Sequence, residues 1–239
     1  MEAGTFPDVK TYKFLGPGRV GLFSDFTWPA PGVWVETHQS VLDCLVGVHA
    51  LRVEDLLDWI DDELWEVELG GEIAEREGML VAERGRLVRH VEQWDAAAAR
   101  TFADDCARRA AEVAADALRR AGLDEHAGSL AHAEGLSSVQ EAAVAALTVT
   151  EDAELTEVVA FAADMVSLVG GGRPEMWGLP STKASASQSP GAVAANAGFV
   201  AAHAVGRAAV AAAGTEDAYG GGFAVERARQ LAWFQTLLA

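Results

Sequence analysis

The chain has 239 residues, with 36 acidic side chains against 18 basic ones and a formal net charge of −18 at pH 7. Half of the residues are hydrophobic, which is typical of a folded chain, and the length allows one large core or two small ones. Without a basic stripe, a stable complex with nucleic acid is disfavoured, because lysine and arginine supply most of the affinity for phosphates.

The sequence shows no targeting signal for secretion or for insertion into a membrane. Met1–Pro7 lacks both the basic and the apolar segment of a secretory signal. The longest apolar stretch, Ala192–Ala213, is mostly alanine and contains a histidine and an arginine, so it is a poor membrane span. Cys44 and Cys106 lie far apart and indicate reduced thiols. We therefore expect a cytoplasmic protein with no membrane segment.

Residues 1–95 are predicted to form a small α+β head. The run Val53–Ile60 has apolar residues at helical spacing, and Leu64–Leu69 alternates apolar and acidic residues, as a half-buried strand does. Gly70-Gly71 is expected to turn the chain after that strand, and Gly85 to separate two later ones. Further strands are predicted over Val9–Leu15, Val20–Phe26, Gly32–Glu36, Met79–Ala82 and Arg86–Val91.

Residues 96–239 are predicted to form an alanine-rich helical bundle. Helix signals include amphipathic spacing, a capping box at Ser138 and the N-cap pair Ser189-Pro190. An irregular stretch rich in Gly, Ser and Pro interrupts the helices at 170–190. The predicted helices cover Asp95–Gly122, Ser138–Leu147, the segment from Thr150 to just before Gly170, Ser189–Ala213 and Ala224–Leu238. The fold class is thus α+β, with a mixed or antiparallel sheet in the head followed by the bundle.

No metal site is predicted. Cys44, His49 and His38 could supply ligands, but zinc sites normally show paired ligands at short spacing, and no such pair is present. Cys44 stands among aliphatic residues and is predicted to be a small buried hydrophobe. A phosphate-binding glycine loop is absent as well, because Gly16-Pro17-Gly18-Arg19 is too short and too constrained by proline.

Other polar or aromatic residues have structural explanations. Glu66 and Glu68 alternate with apolar residues and are predicted to face water. His203 lies among alanines and is predicted to be a packed helix residue. Met176 and Trp177, in the irregular stretch, could form a lid or a docking point for a partner, although an aromatic that tucks back onto the bundle is the favoured interpretation.

One ordered set of motifs in the head resembles known proteins. Tyr12-Lys13-Phe14 is followed by Gly47-Val48-His49-Ala50, and then by a helix that carries Asp55, Leu56 and Trp59. Leu64–Leu69, closing on Gly70-Gly71-Glu72, completes the set. This order resembles an uncharacterised group of small bacterial domains, which in turn is similar to the core of ADP-ribosyltransferases of the poly-ADP-ribose polymerase type.

The resemblance implies an NAD site in the head. It would place His49 on the strand that stacks on nicotinamide, and Tyr12 or Lys13 together with Gly47 where the dinucleotide is anchored. Glu77 or Glu83 would be the carboxylate that orients the ribose hydroxyl and steadies an oxocarbenium-like centre. His49 stands where those enzymes carry Tyr or Ser, and Lys13 where they carry His or Arg. The implied function is an ADP-ribosyltransferase-like NAD-binding protein, active or degenerate.

Two other functions stay open. The chain could be a non-catalytic interaction protein whose helices present a surface to a protein partner or to a second copy. It could also be a small-molecule tailoring enzyme, with a pocket between head and helices roofed by the 170–190 stretch.

Overall fold

The structure, a computed structural model, describes residues 10–21, 24, 26–37, 47–166 and 189–239. In these residues an antiparallel sheet of five strands precedes a set of helices, which confirms the predicted α+β class. The strands are β1 (Thr11–Leu15), β2 (Val35–Glu36), β3 (Val48–Ala50), β4 (Glu63–Arg76) and β5 (Met79–His90), with a 3₁₀ helix (Val53–Trp59) between β3 and β4.

The long β4–β5 hairpin corrects two predicted turns. Gly85 was expected to separate two strands, but β5 runs through it without interruption. A Cβ atom there would lie 2.6 Å from a methyl group of Val48, so this glycine permits close packing of a neighbouring strand. Gly70-Gly71 likewise lies within β4, at a register shift against β5, and forms a bulge instead of ending the strand.

Two other head predictions meet the structure only in part. The strand predicted over Val20–Phe26 lies partly outside the described residues, and Val20 forms isolated bridges to Gly16 and Thr27. The predicted helix at Val53–Ile60 is present in its 3₁₀ form.

The head sheet closes on itself. β1 pairs with β4, β4 with β5, and β5 with β3, while Leu51 directly after β3 exchanges two backbone hydrogen bonds with Tyr12 of β1, at 2.7 and 2.8 Å. The result is a small barrel. Its interior is filled by side chains from all four strands and by one tryptophan from the loop after β1, namely Leu15, Trp28, Val48, Ala50, Trp65, Val67 and Leu87.

The bundle contains the predicted helices and one more. The described helices are α1 (Ala96–Arg120), α2 (Asp124–Ala131), α3 (Gly135–Leu147), α4 (Ala153–Ala163) with a 3₁₀ turn at Asp164–Val166, α5 (Pro190–Ala213) and α6 (Ala218–Leu238). α2 was not predicted. The expected capping box at Ser138 is wrong, because α3 already begins at Gly135. α6 begins six residues before Ala224, since Gly222 lies against α5, where a Cβ atom would come within 2.8 Å of the Val205 carbonyl oxygen.

One apolar core joins the head to the helices. Phe14 of β1, Trp94 before α1, Phe102 of α1 and Phe234 of α6 form a cluster of edge-to-face and tilted ring pairs, with centroids 5.0 to 6.4 Å apart. The indole N–H of Trp94 donates to the carbonyl oxygen of Asp61 at 2.8 Å, so this large buried ring keeps its polar atom satisfied. The outer face of the barrel therefore packs on the bundle.

Among the described residues, α5 alone is long and apolar enough to cross a membrane by length and composition. In the window that meets this test, 61% of the residues are buried inside the protein, as they are in the core helix of a globular fold. Its start matches the prediction: Ser189 caps the helix by accepting from the N–H of Ala192, and Pro190 occupies the first turn.

Candidate functional site

The alternation of β1 divides its side chains between two environments. Tyr12 and Phe14 point outward into the core shared with the helices, while Lys13 and Leu15 point into the barrel. Lys13 thus introduces a cation into an interior that is otherwise lined by apolar and aromatic side chains. This placement follows from the pleat of a single strand combined with the closure of the sheet.

Lys13 is held by a backbone oxygen and an indole ring. Its ammonium donates to the carbonyl oxygen of His49 at 2.9 Å and lies 5.5 Å from the ring centroid of Trp28, within cation–π range. Burial lowers the pKa of Lys13 to about 8. Within the described ranges no carboxylate forms an ion pair with it. The ammonium is therefore partly desolvated and has no compensating anion among the described residues.

A second cation contacts the same tryptophan. Arg19 donates from Nε to the carbonyl oxygen of Trp28 at 3.1 Å, and among the described residues it too forms no ion pair. Trp28 itself is only 4% exposed, but the neighbouring Phe26, whose ring makes an edge-to-face contact with it at 6.0 Å, is 46% exposed. Two cations that form no ion pair with a described residue, and one accessible ring, therefore lie next to Trp28.

The turn that carries Arg19 is tied to β4. Arg19 adopts φ of 63°, a left-handed conformation that is uncommon for a residue with a side chain. The preceding Gly18 donates its N–H to Glu63 Oε1 at 2.7 Å, while Glu63 Oε2 accepts from the indole N–H of Trp65 at 3.0 Å. Glu63 thereby connects the turn to the barrel wall and fixes where Arg19 lies.

Lys13 also belongs to a cross-strand row. Lys13 of β1 is opposite Trp65 of β4, which is opposite His90 of β5. The rings of Trp65 and His90 lie 4.8 Å apart, and in the described part of the chain the buried Nε2 of His90 has no hydrogen-bond partner. The row places an amine, an indole and an imidazole side by side on the barrel wall.

The residues that the resemblance assigned to an NAD site are only partly brought together. Val48 and Ala50 face the barrel interior, so the imidazole of His49 between them lies on the opposite side of β3, and Lys13 donates to the backbone carbonyl oxygen of His49. Tyr12 is buried on the outer face of β1, where burial and then the charge of Glu66 raise its pKa.

Gly47 and the two candidate carboxylates lie in other environments. Gly47 precedes β3 with φ of 133°. Glu77 is exposed at the tip of the β4–β5 hairpin. Glu83 is exposed too, and its carboxylate accepts the N–H of Glu72 at 3.0 Å. Neither glutamate forms a hydrogen bond or an ion pair with Lys13.

The described residues contain no group of three His, Cys, Asp or Glu side chains that could hold a metal ion. Two of the weighed ligands, Cys44 and His38, lie outside the described residues, as do Met176, Trp177 and all but the last two residues of the 170–190 stretch.

In the bundle, His203 has structural partners. His203 is packed as predicted, with its ring stacked on Phe161 at 5.2 Å, tilted against Phe199 at 4.1 Å, and hydrogen-bonded through Nδ1 to the hydroxyl of Tyr219. Burial, and then the nearby charges of Arg207 and Arg227, lower its pKa. The prediction that His203 is a packing residue is confirmed.

Sequence reasoning missed four residues of the barrel site, namely Arg19, Trp28, Trp65 and His90. A usable signal for one of them was the proline-rich segment around Trp28, which marks a loop able to fold back over the strands. The partners Trp65 and His90 depend on strand register, which a single sequence does not reveal.

Comparisons with protein-family models, with curated proteins and with solved structures find no significant match to this chain.

Proposed function

We propose that the head binds NAD or its ADP-ribose part, with Lys13 as the anchor of the pyrophosphate. The observation that carries this proposal is the Lys13 ammonium, which is half-buried, contacts an indole and a backbone oxygen, and has no carboxylate partner in the described part of an otherwise strongly acidic chain. A chain with 36 acidic residues could readily have supplied an internal partner.

An anionic ligand fits this environment for an energetic reason. A desolvated, unpaired ammonium destabilises the folded protein, and its lowered pKa expresses that penalty. A bound phosphate would restore the missing anion and raise the pKa of Lys13. Arg19 would add a guanidinium, which binds phosphate oxygens through paired N–H donors.

Aromatic neighbours favour a ligand that joins a flat ring to its phosphates. Phe26 offers an accessible ring beside Trp28, and Trp28 is in turn the residue that Lys13 and Arg19 both contact. A nicotinamide or adenine ring could stack on Phe26 while the pyrophosphate meets the two cations. Inorganic phosphate would use only half of this arrangement.

The proposal covers binding and not ADP-ribosyl transfer. The carboxylates that the resemblance would assign to catalysis, Glu77 and Glu83, have no contact with Lys13 and are exposed elsewhere on the hairpin. Glu63, at the start of β4, already accepts hydrogen bonds from Gly18 and Trp65. A degenerate relative that retains the ligand without the reaction is the form that these contacts support.

Calorimetric titration with NAD, ADP-ribose and pyrophosphate tests the proposal. Lys13→Met should weaken binding of NAD and ADP-ribose at least tenfold, a loss of about 1.4 kcal/mol or more. The matched control is Lys10→Met, because Lys10 also lies beside β1 but is 68% exposed and only 4.0 Å from Glu66. That control should change affinity less than about twofold, since an exposed ion pair contributes little.

Two results would overturn the proposal. One is that neither NAD nor ADP-ribose binds measurably to the unmodified protein. The other is an equal loss in the two lysine variants, which would indicate a diffuse effect of charge. Circular dichroism and a thermal melt of each variant ensure that affinity is compared between folded proteins.

A further inference from the structure

The surroundings of Lys13 also suit a neutral amine. Its half-buried side chain points into the barrel, whose interior is lined by apolar and aromatic residues, and Nζ lies 5.5 Å from the ring centroid of Trp28. No described carboxylate pairs with it, so no neighbouring anion favours the protonated form. Proteins obtain a nucleophilic lysine by desolvating the amine in apolar surroundings or by placing it near another cation. Both conditions are met here, because Arg19 contacts the same tryptophan.

The hydrogen bond to His49 orients the nitrogen of Lys13. Nζ lies 2.9 Å from the carbonyl oxygen of His49. A neutral amine that donates one hydrogen to this oxygen directs its lone pair away from the backbone of β3. If the amine becomes a protonated imine, the nitrogen still carries one N–H, and the same oxygen can accept it. One backbone acceptor therefore suits both the amine and the product of its reaction with a carbonyl group.

Burial makes the neutral form of Lys13 accessible near neutral pH. It lowers the pKa of Lys13 from 10.5 to about 8. At pH 7.5 about a quarter of such a lysine is neutral, compared with about a thousandth of a lysine that keeps its ordinary pKa. Only the neutral amine has the free electron pair that attacks a carbonyl carbon. The more exposed Lys10, which lies 4.0 Å from Glu66, has no such desolvation.

The neighbours of Trp28 indicate which carbonyl compound this amine would meet. Arg19 donates from Nε to the carbonyl oxygen of Trp28 at 3.1 Å, and no described residue forms an ion pair with it. A guanidinium binds phosphate oxygens through paired N–H donors. Phe26 is 46% exposed and contacts Trp28 edge to face, so it offers a ring on which a flat ligand can stack. A phosphorylated aldehyde with a flat ring matches the amine, the guanidinium and the accessible ring together.

We infer that Lys13 forms an imine with a phosphorylated aldehyde whose phosphate is bound by Arg19. The lone pair of Nζ attacks the carbonyl carbon, an N–C bond forms, and the π electrons of the carbonyl move to its oxygen. That oxygen then leaves as water with the two amine hydrogens, and a C=N bond remains. The step needs neither an oxidant nor a reductant. It goes beyond NAD binding, because NAD has no free aldehyde and would meet the ammonium form of Lys13.

Reductive trapping in the full chain tests this inference. The protein is incubated with pyridoxal 5′-phosphate at pH 7.5 and sodium borohydride then reduces any imine to a stable secondary amine, which peptide mass spectrometry locates. The chain has only three lysines, Lys10, Lys13 and Lys183, so each is assigned separately. Lys13 should be labelled at least about tenfold faster than Lys10. Lys10 is the matched control, since its side chain is 68% exposed and simple access to the reagent would favour it.

Pyridoxal, which has the same ring and aldehyde without the phosphate, tests the role of Arg19. It should label Lys13 at least about tenfold more slowly than the phosphorylated compound. Arg19→Gln should abolish this difference and leave the rate with pyridoxal within about twofold. Labelling of Lys10 as fast as Lys13 would overturn the inference, and so would equal rates with the two aldehydes. Both of these results come from the unmodified protein, so they do not depend on a variant that folds, and neither depends on whether NAD binds.

Discussion

Lys13 bonds to the backbone of His49 and leaves its imidazole on the other side of β3. The Nζ atom lies 2.9 Å from the carbonyl oxygen, and the residues on either side of His49 face the barrel interior. The hydrogen bond between these two residues, which the ADP-ribosyltransferase resemblance would place in one NAD site, therefore involves the main chain of His49 and not its imidazole. Because of this geometry, substitutions of Lys13 and of His49 should have different effects on ligand affinity.

His49→Ala should leave the proposed dinucleotide affinity within about twofold of the unmodified protein. The variant keeps the carbonyl oxygen that Lys13 contacts, because the strand backbone is unchanged. Titration calorimetry with ADP-ribose measures this directly. If His49→Ala were to abolish binding while the fold is retained, the ligand would lie on the imidazole side of β3, as the resemblance implies.

Lys13→Met should raise the free energy of unfolding at pH 7 while it removes the ligand. The pKa of Lys13 is about 8 when folded and near its ordinary value of 10.5 when unfolded, so between these values the unfolded chain binds more protons and stability rises with pH. Below pH 8 the penalty is fully present. It corresponds to about 3 kcal/mol, reduced to about 2 by the lost hydrogen bond.

Urea denaturation at pH 7 and at pH 10 measures this effect. The stability difference between Lys13→Met and the unmodified protein should shrink at the higher pH, where the lysine is mostly neutral. Lys10→Met, with its exposed side chain, provides the baseline. A Lys13→Met variant that is less stable than the unmodified protein at pH 7 would show that the ammonium stabilises the fold. That result would contradict the proposal that the ammonium lacks a counter-charge and binds an anionic ligand.

Dinucleotide affinity should fall as the pH rises through about 8. A phosphate binds the protonated form of Lys13, and the free protein loses that proton near this pH. Affinity should be constant below pH 8 and should decline by up to about tenfold per pH unit above pH 8. The decline should stop when only the contribution of Arg19 to binding remains. Titrations between pH 6.5 and 9.5 establish the profile. A profile that is flat through this interval would contradict a role for Lys13 as the anchor.

Gly191→Ala should loosen the junction between head and bundle. A Cβ atom at Gly191 would overlap the backbone of Asp61 and Asp62, and the Gly191 N–H donates to Asp62 Oδ1 at 2.9 Å. We expect a loss of about 2 to 3 kcal/mol in the free energy of unfolding. Gly221→Ala in α6, where a Cβ atom meets nothing within 4 Å, should instead be neutral or gain up to about 1 kcal/mol.

Glu226→Gln should destabilise the bundle strongly. The carboxylate is only 1% exposed, accepts from Arg229 at 2.8 Å and lies 3.4 Å from Arg109, so its neutralisation removes the buried counter-charge of two partly exposed guanidinium groups. The expected loss is about 2 kcal/mol, because both arginines keep access to water. Glu112→Gln is a matched control, because Glu112 also lies 3.4 Å from Arg109 but at the surface, and it should cost less than about 1 kcal/mol.

Acid should destabilise the protein partly through His203. Its pKa is lowered by burial and by Arg207, so below the ordinary value of 6.5 the unfolded chain binds more protons than the folded one. Stability should therefore fall as the pH drops from 7 to 5. His203→Gln should lose less stability over this interval, as measured by chemical denaturation. Equal losses in both proteins would show that His203 does not contribute to the acid sensitivity.

The elements that sequence alone predicted are those with complete local signals. The start of α5 follows from Ser189 and Pro190, which satisfy and preorganise the first turn by themselves. The end of α1 follows from Gly122, which adopts a left-handed φ of 78° after the helix. Likewise, Val9–Leu15 is predicted to be a strand, and the pleat of a strand places Lys13 on the opposite face from Tyr12 and Phe14.

The environment of that side chain is a tertiary property. Closure of the sheet depends on the pairing of Leu51 with Tyr12, and the cation site depends on Trp28 folding back between Lys13 and Arg19. Strand pleat and helix caps are set by neighbours in the chain, so sequence alone determined which face Lys13 occupies. Which face became the interior of a barrel was decided by contacts between residues far apart in sequence, because only those contacts exclude water from the ammonium and lower its pKa.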